Sequence, residues 1–60
     1  MATLKEIRTK RVMSQADLSR ASGVTTNAIC RLEQGKRKPR FVTIRKLAKA
    51  LDVEPDLIEW

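Results

Sequence analysis

The sequence predicts an all-α fold, a small bundle of five short helices. Three observations point to it. At two places a hydroxyl residue is followed three positions later by an acidic one, the capping-box spacing that opens helices. In the second half of the chain, apolar residues recur at the helical period. Strand signals are missing: there is no alternating run, no Asn-Gly or Asp-Gly turn and few clusters of β-branched residues.

The first helix is expected from Leu4 to about Arg11, opened by Thr3 and Glu6. Ser14 and Asp17 repeat the pattern and open a second helix near Gln15 to Ser22. Gly23 stops it, because glycine takes the left-handed conformation wanted just past a helix end. Thr25 then caps a third helix from Thr26 to Gln34, which Gly35 ends in the same way. The segment around Lys36, Arg37, Lys38, Pro39 and Arg40 is a loop: Pro39 lacks an amide proton and disfavours helical geometry at Lys38, and the like charges repel. Ile44, Leu47, Ala48 and Leu51 recur at i, i+3, i+4 and i+7 and define the buried stripe of a fourth helix, Phe41 to Leu51. Pro55 suits the first position of a short fifth helix reaching about Glu59. The expected core collects Leu4, Ile7, Leu18, Ala21, Val24, Ile29, Leu32, Phe41, Ile44, Leu47, Leu51 and Leu57.

Composition narrows the function. Sixty residues make one domain, 1–60, with a small core and no room for a separate ligand-sensing unit. The single cysteine, Cys30, cannot form an internal disulfide, and the absence of histidine removes the usual zinc constellations and most nucleophile-base pairs. No membrane span or secretory leader is visible, so a cytoplasmic protein without cofactor, metal or small-molecule ligand is expected. Thirteen Lys and Arg against seven Asp and Glu give a net charge of +6 and favour a polyanionic partner.

The most specific signal is a helix, a short turn with Gly23 and a second helix, which is a helix-turn-helix arrangement. At about 100° per residue, an inward Ile29 also turns Thr25, Leu32 and Glu33 inward and leaves Asn27 and Arg31 together on the outside. Their chemistry suits the major groove of double-stranded DNA: arginine pairs with guanine O6 and N7, asparagine with adenine N6 and N7. Thr26, in the first turn, is placed to meet a thymine methyl or a phosphate. The competing view of Asn27 and Arg31 is an ordinary solvated face. Phosphate contacts are expected from Gln15, at the start of the second helix, and from Lys36, Arg37, Lys38 and Arg40 in the basic loop. Arg8 shares the inward face of Leu4 and Ile7 and needs a partner, for which the inward Glu33 is the candidate. Cys30 flanks the outward face and reads as an unreactive small residue. Trp60 either covers the base of the core or, with Ile58, pairs two chains.

With Gln15, Gly23, Ile29, Glu33 and Gly35 in place, residues 14–53 resemble the phage-repressor and Cro type of helix-turn-helix domain, often called XRE-type. The resemblance implies a lambda-repressor-like five-helix domain that binds operator DNA, usually as a homodimer, and regulates transcription. It further implies that Gln15 clamps a phosphate, that Thr26, Asn27 and Arg31 face bases, that Lys38 and Arg40 approach the backbone, and that Arg8 pairs with Glu33. Two residues depart from the pattern. Ser19 stands where alanine is usual at the tight helix contact, and Arg40 where a Ser or Thr often caps the fourth helix. The rival readings are a protein-interaction or antitoxin-like module on the same fold and, with less support, an enzyme, for which no glycine-rich phosphate loop or converging carboxylates are visible.

Overall fold

The computed structural model describes residues 2–36 and 38–60. Its elements in chain order are β1 (Ala2–Thr3), α1 (Leu4–Lys10), α2 (Gln15–Ser22), α3 (Thr26–Glu33), α4 (Phe41–Leu51), a single 3₁₀ turn (Pro55–Leu57) and β2 (Ile58–Glu59). Each of the first three helices starts where a side chain satisfies an orphan backbone donor. Thr3 and Glu6 form a reciprocal capping box on α1, Ser14 and Asp17 one on α2, and Thr25 Oγ1 accepts from the Ala28 amide on α3. The fourth has no such help: Arg40 holds an extended N-cap backbone but its side chain makes no capping bond.

The helix ends also have local causes. α2 stops at Gly23, whose φ is +78°. A methyl built there would meet nothing within 4 Å, so glycine is required for its backbone angle rather than for space. α4 stops at Asp52, again left-handed at φ +56°, a conformation that an aspartate tolerates. The turn between α1 and α2 contains a third such residue, Val12 at φ +56°, and there the conformation is strained because a β-branched side chain crowds its own backbone.

The core forms where α2 packs on both α3 and α4, with α1 and the terminal strands closing the remaining side. Leu18, Ile29 and Leu47 are fully buried at its centre, and Leu4, Ile7, Ala48, Leu51 and Ile58 surround them. Ala2, Met13, Val24, Leu32, Ala50 and Val53 pack around this group.

Four expectations are corrected. The fifth helix does not form: after one 3₁₀ turn the chain becomes extended at Ile58 (φ −100°, ψ 131°), and β2 pairs in parallel with β1, Ala2 opposite Ile58 and Thr3 opposite Glu59. A helix there would have turned Leu57 inward. Instead Leu57, the last residue of the 3₁₀ turn, is 54% exposed, and Ile58, the first of the extended segment, is buried. Phe41, the first residue of α4, is 83% exposed, and the buried residues of that helix, Leu47, Ala48 and Leu51, all lie in its second half. Ala21 is exposed as well. The inward position one turn after Leu18 is taken by Ser22, whose hydroxyl donates to the Leu18 carbonyl (2.7 Å) and accepts from the Val24 amide (3.2 Å), so its polarity is satisfied locally.

Candidate nucleic-acid interface

α3 is an amphipathic helix whose two sides have separate tasks. Ile29 anchors the inner side and Leu32 packs beside it, while Thr26, Asn27 and Arg31 are exposed on the outer side. Asn27 and Arg31 line a shallow open depression together with Cys30, Gln34 and Lys36. The Gln34 amide lies 3.4 Å from the half-buried Cys30 sulfur along the same ridge. The residues lining the depression carry two cations, two neutral amides and a thiol, with no carboxylate among them. Lys36, Lys38 and Arg40 are all exposed. Arg37, assigned to the same basic loop, lies outside the described residues.

Behind α3 stands a polar network that fixes the helix to its neighbours. Arg8, on α1, donates from Nε to Glu33 Oε2 (2.7 Å) and from Nη2 to Glu33 Oε1 (3.1 Å). Its Nη1 donates to the Met13 carbonyl (2.7 Å) in the turn leading to α2. Glu33 Oε1 also accepts from Gln15 Nε2 (3.0 Å), at the first residue of α2. The side chains of Arg8 and Glu33 are 11% and 5% exposed. Burial pushes the Glu33 carboxyl up, but the hydrogen bonds from Arg8 and Gln15 and the charges of Arg8 and Lys5 outweigh it and hold the group below its ordinary value. The same contact raises Arg8 above the ordinary arginine range.

One side-chain network therefore joins α1, the start of α2 and the end of α3. The sequence offers the inward placement of Arg8 and Glu33 through helical spacing. It offers no signal for the bond from Gln15 to Glu33, because a link from the first residue of one helix to the last of another depends on how the two cross.

A model of the helix-turn-helix family matches residues 4–58, nearly the whole chain. The chain belongs to the XRE-type helix-turn-helix family. In its helix-turn-helix, α2 and α3 are the paired helices and Gly23 opens the turn between them. Among solved structures it is similar to the restriction-modification controller protein C.AhdI from Aeromonas hydrophila. The two share 42% identity and a TM-score of 0.85, over 88% of this chain and 80% of that one. It is also 39% identical, over 54 residues, to uncharacterized HTH-type transcriptional regulators of Mycobacterium bovis and Mycobacterium tuberculosis. The match covers 90% of this chain and 21% of each relative, so the chain spans about a fifth of the length of these regulators.

Proposed function

We propose that this helix-turn-helix binds double-stranded DNA sequence-specifically through the major groove and acts as a transcriptional regulator of the repressor type. The observation that carries the reading is the outer face of α3, where Asn27 and Arg31 stand exposed one turn apart, directly opposite the fully buried Ile29. A helix so anchored presents its polar edge as a rigid ridge, which is what insertion into a groove requires. Thr26, Asn27 and Arg31 meet base edges. Gln15, Lys36, Arg37, Lys38 and Arg40 meet phosphates on either side and set the register.

Support comes from the C.AhdI likeness, which is to a controller protein, and from the mycobacterial relatives, which carry the name of transcriptional regulators. The proposed working form is a cytoplasmic homodimer. It places two copies of α3 in successive major grooves, about 34 Å apart. The chemistry is binding alone, without a catalytic step, cofactor or metal.

Selection from a randomised duplex pool at near-physiological salt tests the whole reading. Enrichment of two related half-sites in inverted orientation is the expected result. A single half-site would remove the dimer and keep the domain's specificity. Retention without enrichment would reduce the protein to a non-specific binder, and no retention would shift the reading to a protein-interaction module.

A further inference from the structure

We propose that Glu33 is a positioning residue for a phosphate clamp at Gln15: its buried carboxylate takes one amide proton of Gln15 and thereby aims the other outward at the DNA backbone. The inference rests on the DNA-binding reading above and deepens it.

A glutamine amide has two N–H bonds diverging from one nitrogen and loses substantial rotamer freedom when it is ordered. In this chain one of the two is already committed, since Gln15 Nε2 lies 3.0 Å from Glu33 Oε1. The acceptor is itself immobile. Arg8 grips both oxygens of Glu33, through Nε at 2.7 Å and Nη2 at 3.1 Å, while its third nitrogen is tied to the Met13 carbonyl at 2.7 Å. The carboxylate therefore cannot rotate to follow Gln15, and Gln15 must align to it. With the inner N–H directed at a group only 5% exposed, the second N–H is left on the solvent side of a half-buried residue at the first position of α2.

Two consequences follow for binding. The entropy of ordering the clamp is met in folding rather than at the moment of contact. The carboxylate closest to the clamp also presents no net charge to an approaching phosphate, because Arg8 neutralises it at contact distance. The arrangement further fixes the distance between the clamp on α2 and the outer face of α3, since Glu33 is the last residue of α3.

The test is a double-mutant cycle on the full chain, read by anisotropy of a labelled synthetic duplex of fixed arbitrary sequence at low salt, where phosphate contacts dominate. The variants are Gln15→Ala, the paired replacement Arg8→Met with Glu33→Leu, and all three together. Exchanging a buried ion pair for apolar side chains of similar size is generally tolerated by a fold. Gln15→Ala is expected to weaken binding roughly tenfold, the worth of one hydrogen bond to a charged group. In the apolar-pair background the same change should cost only about threefold or less, because there the clamp is no longer held. The salt slope should stay constant throughout, since no variant alters the net charge.

An equal factor in both backgrounds would overturn the positioning role. Binding by the wild type that is indifferent to Gln15→Ala would overturn the clamp and leave the DNA reading standing. No binding by the wild type would refute both. A measurement on the unaltered protein guards against a variant that fails to fold. The Gln15 side-chain amide resonances should be displaced from those of freely rotating glutamines and shift on adding the duplex, and resonances that resemble free glutamine and ignore the duplex would refute the proposal.

Discussion

Replacing Val12 should make this protein more stable. Its backbone sits at φ +56°, and the residue is 90% exposed, so almost no packing is lost when the side chain is removed. The left-handed conformation costs an L-residue about 1–2 kcal/mol, and branching at Cβ places valine toward the upper end. The Val12 amide bond to the Thr9 carbonyl (2.9 Å) involves the backbone alone and survives any substitution except proline. Val12→Gly removes the local cost but adds about 0.5–1 kcal/mol of unfolded-state entropy, leaving a net gain of about 1–1.5 kcal/mol. Val12→Asn keeps more of the entropy advantage and tolerates the left-handed region, so a similar or larger gain is expected. For a domain of this size, about 1 kcal/mol corresponds to about 4–8 °C in Tm. Thermal unfolding followed by circular dichroism, with urea unfolding for the free energy, measures both. Val12→Ala serves as control and should gain little, since alanine pays most of the same backbone cost. If glycine and asparagine both left Tm unchanged or lowered it, the strain argument would fail. Val12 would then be contributing contacts or avoiding a worse conformation.

Further outcomes separate the roles assigned to the surface. Arg31→Ala should cost about 1–3 kcal/mol of binding to a selected site and relax one base preference, whereas Lys38→Ala should weaken all duplexes alike and reduce the salt slope by about one; both are read from titrations at several salt concentrations. Arg40→Ser should oppose stability to function: serine supplies the cap that α4 lacks, worth about 0.5–2 kcal/mol in urea unfolding, while DNA affinity and salt slope fall with the lost cation. For pH, Glu33 is held below its ordinary value in the folded state, so its contribution is fully present above the unfolded carboxylate range and is lost as pH falls through the lower folded value. Urea unfolding from neutral to acid should show Glu33→Gln with a flatter acid limb than the wild type. The capping carboxylates Glu6 and Asp17 are shifted in the same direction and supply the slope that remains.

How far the fold can be read from the residues depends on how local the cause is. α2 and α4 have the expected bounds, and α1 and α3 differ from them by one residue at their ends. Those elements are set by caps, glycines and periodicity within a turn or two. The expectation of a fifth helix failed at Ile58 because the extended conformation there is stabilised by pairing with Ala2, at the other end of the chain, and nothing in residues 55–60 announces that partner. Phe41 misled for a related reason. Periodicity gives the direction of a side chain around a helix but not whether core exists at that height along it. At the candidate interface, the outward placement of Asn27 and Arg31 followed from a single helix's geometry and was legible. The bonds to Glu33 from Gln15 and from Arg8 depend on how α3 crosses α2 and α1, and no spacing within one helix encodes them, whereas the grip of Arg8 on the Met13 carbonyl is set by the turn just after α1.

The two-residue parallel pairing of β1 with β2 also orders the events of folding. Closing a loop from Ala2 to Ile58 in an otherwise unfolded chain would cost about 3–4 kcal/mol of chain entropy, far more than so short a ladder returns. Once α1 and α4 are docked, the same strands need only settle a few residues each. The ladder therefore acts as a clasp that shuts last and opens first. Amide protons of Ala2, Thr3, Ile58 and Glu59 should exchange with solvent well before those flanking Leu18 and Ile29, so the protein loosens at its ends while α2 and α3 remain locked together.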